Sequence, residues 1–215
     1  QPKIKDEKRR THFEYAGAAG GFIDRYGFPY CRGRVFETIE EDKGQYNESF
    51  PVPIFWASGA CFFIRAEVFH QLGGFDEDFF AHQEEIDLCW RVHHLSKQVV
   101  YCSESTVYHV GGATLTAANP KKTYLNFRNS LFMLLKNLPA KGLYTTIFLR
   151  MVLDGIAGVR FLLQGKPRFT WEVIRAHFHF YKRFFFFKKK RPSKLITNYY
   201  QVKSIVWEYF VLGKK

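Results

Sequence analysis

Gly73-Gly74-Phe75-Asp76-Glu77-Asp78-Phe79-Phe80-Ala81-His82-Gln83-Glu84-Glu85-Ile86-Asp87-Leu88-Cys89-Trp90-Arg91 separates two helices. The glycine pair ends a short helix predicted over Ala66 to Leu72, because glycine accepts the left-handed conformation at a helix terminus. A second helix is predicted over about Gln83 to Leu95, with Ile86, Leu88, Cys89 and Val92 on its core face. Three carboxylates, Glu84, Glu85 and Asp87, fall within four residues at its start. Acids in a first turn are stabilised by the helix dipole by about 0.3–1 kcal/mol each. Capping accounts for one or two acids anywhere, but not for their position behind an aromatic, glycine-punctuated lead. Capping and catalysis therefore both stand as readings of this cluster.

Working outward, Ile54-Phe55-Trp56-Ala57 precedes Ser58-Gly59-Ala60, and Cys61-Phe62-Phe63-Ile64 reads as a short buried strand. Gln98 to Cys102 reads as another strand. Ser105 to His109 reads as a third, broken by Gly111-Gly112. His109 at a strand end opening into a glycine turn is either a satisfied histidine or a displayed site residue, since imidazole is a common ligand for divalent metals. The first 50 residues are polar and rich in turns. Their small-residue run Ala16 to Gly21 lacks both the Lys-Ser/Thr ending of a P-loop and GxGxxG spacing, and reads as a flexible loop or strand edge. After Pro120 the chain reads as helical. Thr123 to Leu138 places Tyr124, Phe127, Leu131, Leu134 and Leu135 on one face. Tyr144 to Leu163 and Phe169 to Lys190 follow, separated by Gly165-Lys166-Pro167, and Ile196 to Leu212 is mixed. No internal repeat is visible. The expected division is 1–118 and 119–215, where charge and period both change.

The formal net charge of +12 over 215 residues conceals an asymmetry. Residues 1–120 hold 12 Lys/Arg against 17 Asp/Glu, whereas residues 121–215 hold 20 against 3. The run Arg183-Phe184-Phe185-Phe186-Phe187-Lys188-Lys189-Lys190-Arg191 stands out in the second part. It fits a core-packed helix with a solvated charge patch, or an interfacial segment on anionic head groups. Single-stranded nucleic acid also suits aromatic and basic residues, but no RRM, KH or helix-turn-helix signature supports it, so nucleic acid is not expected as a partner. No segment reaches the roughly 18–20 uninterrupted apolar residues of a membrane span. The longest apolar stretch, Tyr144 to Leu163, is interrupted by Arg150, Asp154 and Arg160. Cys31, Cys61, Cys89 and Cys102 show no CxxC spacing and read as reduced thiols of a cytosolic protein. The chain opens on Gln1-Pro2-Lys3 without a signal peptide or an initiating Met, and is expected to be a fragment.

Four pieces in order resemble family 2 glycosyltransferases of the rhamnosyl- and galactofuranosyl-transferase kind. They are Phe55-Trp56-Ala57-Ser58-Gly59-Ala60-Cys61-Phe62-Phe63-Ile64-Arg65, then Gly73 to Phe80, then Glu84 to Arg91, then Val107-Tyr108-His109-Val110-Gly111-Gly112. The resemblance covers about residues 50–115. It implies an α/β fold: a partial A-type glycosyltransferase (nucleotide-diphospho-sugar transferase) domain followed by a basic, aromatic C-terminal helical region. It implies inverting, metal-dependent transfer of a sugar from a nucleotide-sugar donor to a glycan or lipid-linked acceptor. Glu85 matches the general base, with Glu84 before it; family members usually carry Asp there, and Glu reaches one methylene further. Asp87 would support the base or bind acceptor. Trp56, Ser58 and Gly59 match the loop shaping the acceptor pocket, and His109 matches a histidine that completes the metal site. The divalent cation (Mg or Mn) would be held mostly by residues outside this chain. Asp76-Glu77-Asp78 has the letters of a DxD motif, but it follows a glycine pair rather than an apolar strand and reads as a loop. The nucleotide-binding strands and the true metal motif are expected before Gln1, leaving this piece inactive alone. The implied location is cytoplasmic, peripheral at the inner face of the membrane. A non-catalytic membrane- or polyanion-binding module is the alternative from another class.

Overall fold

The structure, a computed structural model, describes residues 11–13, 18–107 and 119–214. It is a mixed α/β chain whose residues form two compact units. The first takes its described residues from within Gln1–Arg65, Lys97–Gly111 and Tyr199–Lys215; the second from within Ala66–Ser96 and Gly112–Asn198. The units thus interleave along the sequence, and the expected division at residue 118 falls at the edge of a stretch outside the described residues.

The first unit holds two antiparallel sheets. One is a meander of β1 (Gly21–Ile23), β2 (Pro29–Cys31), β3 (Arg34–Val35) and β4 (Thr38–Ile39). The other pairs β5 (Val52–Ile54) with β6 (Val99–Tyr101), Pro53 opposite Val100. The turn-rich first 50 residues hold four strands of two or three residues, too short to show an alternating pattern, and the run Ala16 to Gly21, expected as a loop or strand edge, ends in β1. Gly21 is required by contact: a Cβ there would lie 2.1 Å from the indole of Trp56. The Trp56 indole N–H donates to the Phe22 carbonyl at 2.8 Å. Asp24, fully buried, sets the β1–β2 turn by accepting from the Tyr26 and Phe28 N–H groups at 2.9 and 2.8 Å. Its other oxygen accepts from Ile205 N–H at 3.0 Å, at the start of a short helix, Ile205–Phe210, capped by Ser204. The mixed segment after Ile196 resolves into this one helical turn and a half, preceded by a loop that Tyr199 ties to the Arg25 carbonyl at 2.7 Å.

Two expected strands are corrected. Cys61 to Ile64 has no strand pairing and Phe63 is 95% exposed, so its apolar letters do not mark a core. Ser105 to Val107 is likewise irregular, and the rest of that expected strand lies outside the described residues. The four cysteines are unbridged.

The second unit is helical: α1 (Ala66–Gln71), a 3₁₀ turn (Glu77–Phe79), α2 (Glu84–His94), α3 (Pro120–Asn137), α4 (Leu143–Leu163) and α5 (Pro167–Lys189). Gly73 and Gly74 terminate α1 in left-handed conformations (φ 73° and 71°), as expected of a glycine pair there. Asn119 caps α3 through its side chain and Pro120 occupies its first turn. From Arg128 to Leu138 every residue of α3 and its C-terminal neighbour is buried, so this helix is wrapped on all sides. Phe132 stacks on Phe187 of α5 with ring centroids 3.7 Å apart, and Phe180 packs beside them. The polar residues caught in that shell are paired. Lys136 reaches Asp76 and Asp87, and Asn137 donates to Asp87. Arg191 donates to the Leu135 and Leu138 carbonyls, closing the C-terminal end of α3. The run Arg183 to Arg191 is therefore divided: Phe187 is core, Arg183 and Lys190 pair with acids, and Arg191 is a cap.

Replacing Asp24 by Ala strands three backbone N–H groups. The expected cost is about 2–4 kcal/mol, because hydrogen bonds to a charged group are the stronger kind. It should appear as a lower urea midpoint and as early proteolytic cleavage between residues 199 and 204. An unchanged midpoint would show that the carboxylate does not secure the last helix.

Candidate functional site

The lead into α2 is held in an unusual backbone shape. Phe80, His82 and Gln83 all have positive φ, at 65°, 70° and 72°. Each such non-glycine residue costs on the order of 1 kcal/mol or more and persists only where its surroundings enforce it. Here α3 enforces it. The Asn129 amide donates to the Phe79, Ala81 and His82 carbonyls at 2.9, 2.8 and 2.8 Å. Arg128 donates to the Asp78 and Phe79 carbonyls at 3.1 and 3.0 Å, and its Nε to Asn129 Oδ1 at 2.8 Å. Below the turn, Lys190 bridges Asp76 and Asp78, both at 2.6 Å, and Arg183 reaches Asp78 at 2.8 Å. Burial pushes the Asp76 carboxyl up, but hydrogen bonds from Lys136 and Lys190 outweigh it and hold it at about 2. Asp76 and Asp78 are thus paired anions of a structural turn.

The far side of this arrangement is a cluster of polar atoms without partners. His82 Nε2, Gln83 Oε1, Glu84 Oε2 and Glu85 Oε2 are all out of solvent contact and make no hydrogen bond among the described residues. Unpartnered buried polar atoms are costly and uncommon, and four in four consecutive residues indicate a place meant for something else. Gln83 occupies the cap position of α2 without a side-chain cap bond, so the helix terminus is left to the acids behind it. Burial, reinforced by the neighbouring Glu84 charge, raises the Glu85 carboxyl from 4.5 to about 7; backbone N–H groups at the helix start oppose the shift only in part. Burial also raises Glu84. His82 is lowered by burial and by the Lys122 charge, which favours a neutral imidazole. A carboxyl that titrates near neutrality, beside an aromatic-lined turn, has the properties of a proton acceptor at pH 7.

The residues expected at the site separate into groups. Glu84 and Glu85 lie together in the unpartnered cluster. Asp87 faces away from it: its oxygens accept from Arg91 Nε at 2.8 Å, Lys136 Nζ at 2.9 Å and Asn137 Nδ2 at 2.8 Å, and it is fully buried. Expected either to support the base or to bind acceptor, Asp87 is a sealed carboxylate with three donors that anchors α2 to α3. Arg91 extends that anchor to the Leu72 and Gly74 carbonyls at 2.8 Å each. Trp56, Ser58 and Gly59 belong to the first unit. The Trp56 ring is buried against Gly21, while Ser58 forms a turn, its hydroxyl accepting from Ala60 N–H at 3.2 Å, and Gly59 is exposed. His109 lies outside the described residues. Among the described residues, no group of three or more His, Cys, Asp or Glu is placed to hold a metal ion. His82, Arg128 and Asn129 were not singled out from the sequence; the available signal was an Arg-Asn pair inside an otherwise apolar helical run.

No family model matches the chain, and no solved structure does either. Two kinds of curated relative do. A low-salt glycan biosynthesis hexosyltransferase, Agl10, of Haloferax volcanii is 29% identical over 132 residues, covering 59% of this chain and 42% of that protein. An N-acetylglucosaminyl-diphospho-decaprenol L-rhamnosyltransferase of Mycobacterium tuberculosis is 35% identical over 80 residues, covering 34% of this chain and 26% of that protein. The chain spans less than half the length of these relatives. Both are glycosyltransferases by name, and the chain is similar to that enzyme class.

Two outcomes test the site. A carboxyl with a raised folded value favours the protonated native state, so its contribution is full below the unfolded value and lost as pH rises through the folded one. Stability in urea should therefore fall between pH 4.5 and about 7, and Glu85→Gln should flatten that slope and be the more stable form at pH 8. An identical slope in both proteins would place Glu85 in water. Asn129→Asp, which removes the amide donor, should cost about 3 kcal/mol by urea unfolding, since it sets a charge against three carbonyls. A cost near zero would mean that the turn keeps its shape without this clamp.

Proposed function

We propose that the chain is part of a glycosyltransferase that moves a sugar from a nucleotide-sugar donor to a hydroxyl of a glycan or lipid-linked acceptor. Glu85 is the general base. The observation that carries this reading is its unpartnered, buried Oε2, presented at a helix start behind a backbone held in three left-handed conformations. The similarity to a glycan hexosyltransferase and to a rhamnosyltransferase named for a diphospho-decaprenol acceptor supports the substrate class.

In the step proposed, the acceptor oxygen attacks the anomeric carbon as its proton passes to a Glu85 oxygen. The bond from that carbon to the diphosphate oxygen breaks, and its electron pair leaves with the nucleotide. One displacement inverts the anomeric centre. The raised carboxyl suits a base that must be ionised at working pH yet basic enough to take a proton; burial raises it most, and the Glu84 charge adds to the shift. Asp87, Lys136 and Asn129 hold the helix and turn in place and do not touch substrate. A divalent cation such as Mg or Mn, implied by the sequence resemblance, would supply charge neutralisation for the departing diphosphate. The described residues offer no ligand set for such an ion, so no step is assigned to one here.

Sugar transfer by the whole protein that carries this chain tests the proposal. Glu85→Gln should lower kcat by about 10²–10⁴-fold with little change in acceptor KM. In the unaltered protein, kcat should decline as pH drops below about 7, where Glu85 takes up its proton. Turnover near normal in the Gln variant would exclude Glu85 as the base and direct the same test to Glu84. A protein with no transferase activity on any lipid-linked or glycan acceptor would favour a binding module instead.

A further inference from the structure

Helices α4 and α5 carry a second feature that sugar transfer does not use. On α5, Trp171, Ile174, Phe178, Tyr181 and Phe185 alternate at spacings of three and four, which keeps them on one face of the helix. All are exposed, Phe178 by 69% and Phe185 by 74%. The core of α5 is formed instead by Val173, Ala176, Phe180 and Phe187 on another face. On α4, Tyr144, Phe148, Val152, Ile156, Val159 and Leu163 form a similar exposed row, while Leu143, Ile147, Arg150, Asp154 and Gly158 face inward. The Tyr181 hydroxyl meets Met151 Sδ at 3.5 Å, so the two rows lie on adjoining helices. An apolar surface of this extent on one face is more than a freely soluble monomer usually shows to water.

The charges around it identify what covers it. Arg168, Arg175, Lys182 and Lys189 recur every seven residues beside the apolar row of α5, and Arg160 and Lys166 flank the α4–α5 turn. Arg168, Lys182 and Lys189 are exposed and make no ion pair among the described residues. The acids of these two helices are occupied: Asp154 is buried against Arg150 and His177, and Glu172 pairs with Arg175. A second copy of the same face would therefore bring cations against cations. An anionic lipid surface complements both the rings and the cations. No helix among the described residues is long and apolar enough to cross a membrane. An amphipathic face of this kind lies in the interface instead.

We infer that the exposed face of α4 and α5 docks flat on an anionic phospholipid bilayer, with the aromatic rows at the acyl boundary and the Arg168–Lys189 row on the head groups. The surface shares only Phe185 and Lys189 with the Arg183–Arg191 run suggested by the sequence, whose Phe187, Lys190 and Arg191 are engaged inside the unit.

Co-sedimentation of the full chain with vesicles of equal parts phosphatidylglycerol and phosphatidylcholine decides the matter. The chain should pellet with these and much less with phosphatidylcholine alone. Binding should weaken with salt to a residue that salt does not remove. The triple variant R168Q/K182Q/K189Q should lose about a hundred-fold in affinity for the anionic vesicles. The double variant F178S/F185S should lose the salt-resistant part. Both variants alter exposed side chains and should keep the parent circular dichroism and Tm, which separates lost docking from lost folding. A chain that stays in the supernatant with anionic vesicles overturns the inference. So does equal pelleting of parent and both variants, or a concentration-dependent dimer that F178S/F185S abolishes while vesicles go unbound.

Discussion

One buried side-chain amide governs the shape of the candidate site. Asn129 has two N–H hydrogens and shares them among three carbonyls of a turn whose backbone resists its own conformation. Only a donor fixed within a packed helix can do this, because a mobile one would lose more entropy than the hydrogen bonds return. The packing of α3 supplies the rigidity. Its neighbours Arg128, Lys136 and Asn137 are held in the same shell, so the helix presents a row of donors to the segment 72–91. Buried ion pairs of this kind seldom stabilise a protein over apolar equivalents. What this row supplies is register: α2 can begin only at Glu84, with its first acids turned toward the unpartnered cluster.

The cluster then illustrates how a fold accepts local instability. Desolvation that raises Glu85 also makes the ionised native state less favourable above its folded value. The Asp87 carboxylate two residues on receives the opposite treatment, with three donors and no water. Adjacent acids on one helix thus differ in role because one meets a wall of cations and amides, whereas the other is desolvated with only backbone N–H groups of the helix start to oppose the shift.

How much of this the sequence disclosed depended on where each signal resides. The boundaries of α2, α4 and α5 were readable because apolar spacing and glycine or proline punctuation are local. The acid cluster was readable for the same reason. The roles within it were not: nothing in the letters distinguishes Glu85 from Asp87, since the distinction comes from Lys136 and Asn137, some 50 positions away. Asn129 was illegible because its partners are backbone carbonyls, which every residue has. The strands before residue 50 were too short for a period, and their pairing rests on single contacts such as Trp56 over Gly21. Phe62 and Phe63 misled by composition alone, as did the tail, where Phe187 is buried while the neighbouring Phe185 and Phe186 are exposed. The α/β class was thus legible, while no matched structure specifies an A-type arrangement.

The tie between Asp24 and Ile205 has a consequence for biosynthesis. Residues 181 positions apart share that buried carboxylate. As the chain leaves the ribosome, the donor that completes the Asp24 site emerges 181 residues after the carboxylate itself. Contacts of such sequence separation form late, and until they do the Asp24 carboxylate lacks its Ile205 donor. The helical unit, whose last segment precedes Tyr199, can finish first. The sheet-bearing unit, although its strands are made before most of those helices, is then the later of the two to be completed.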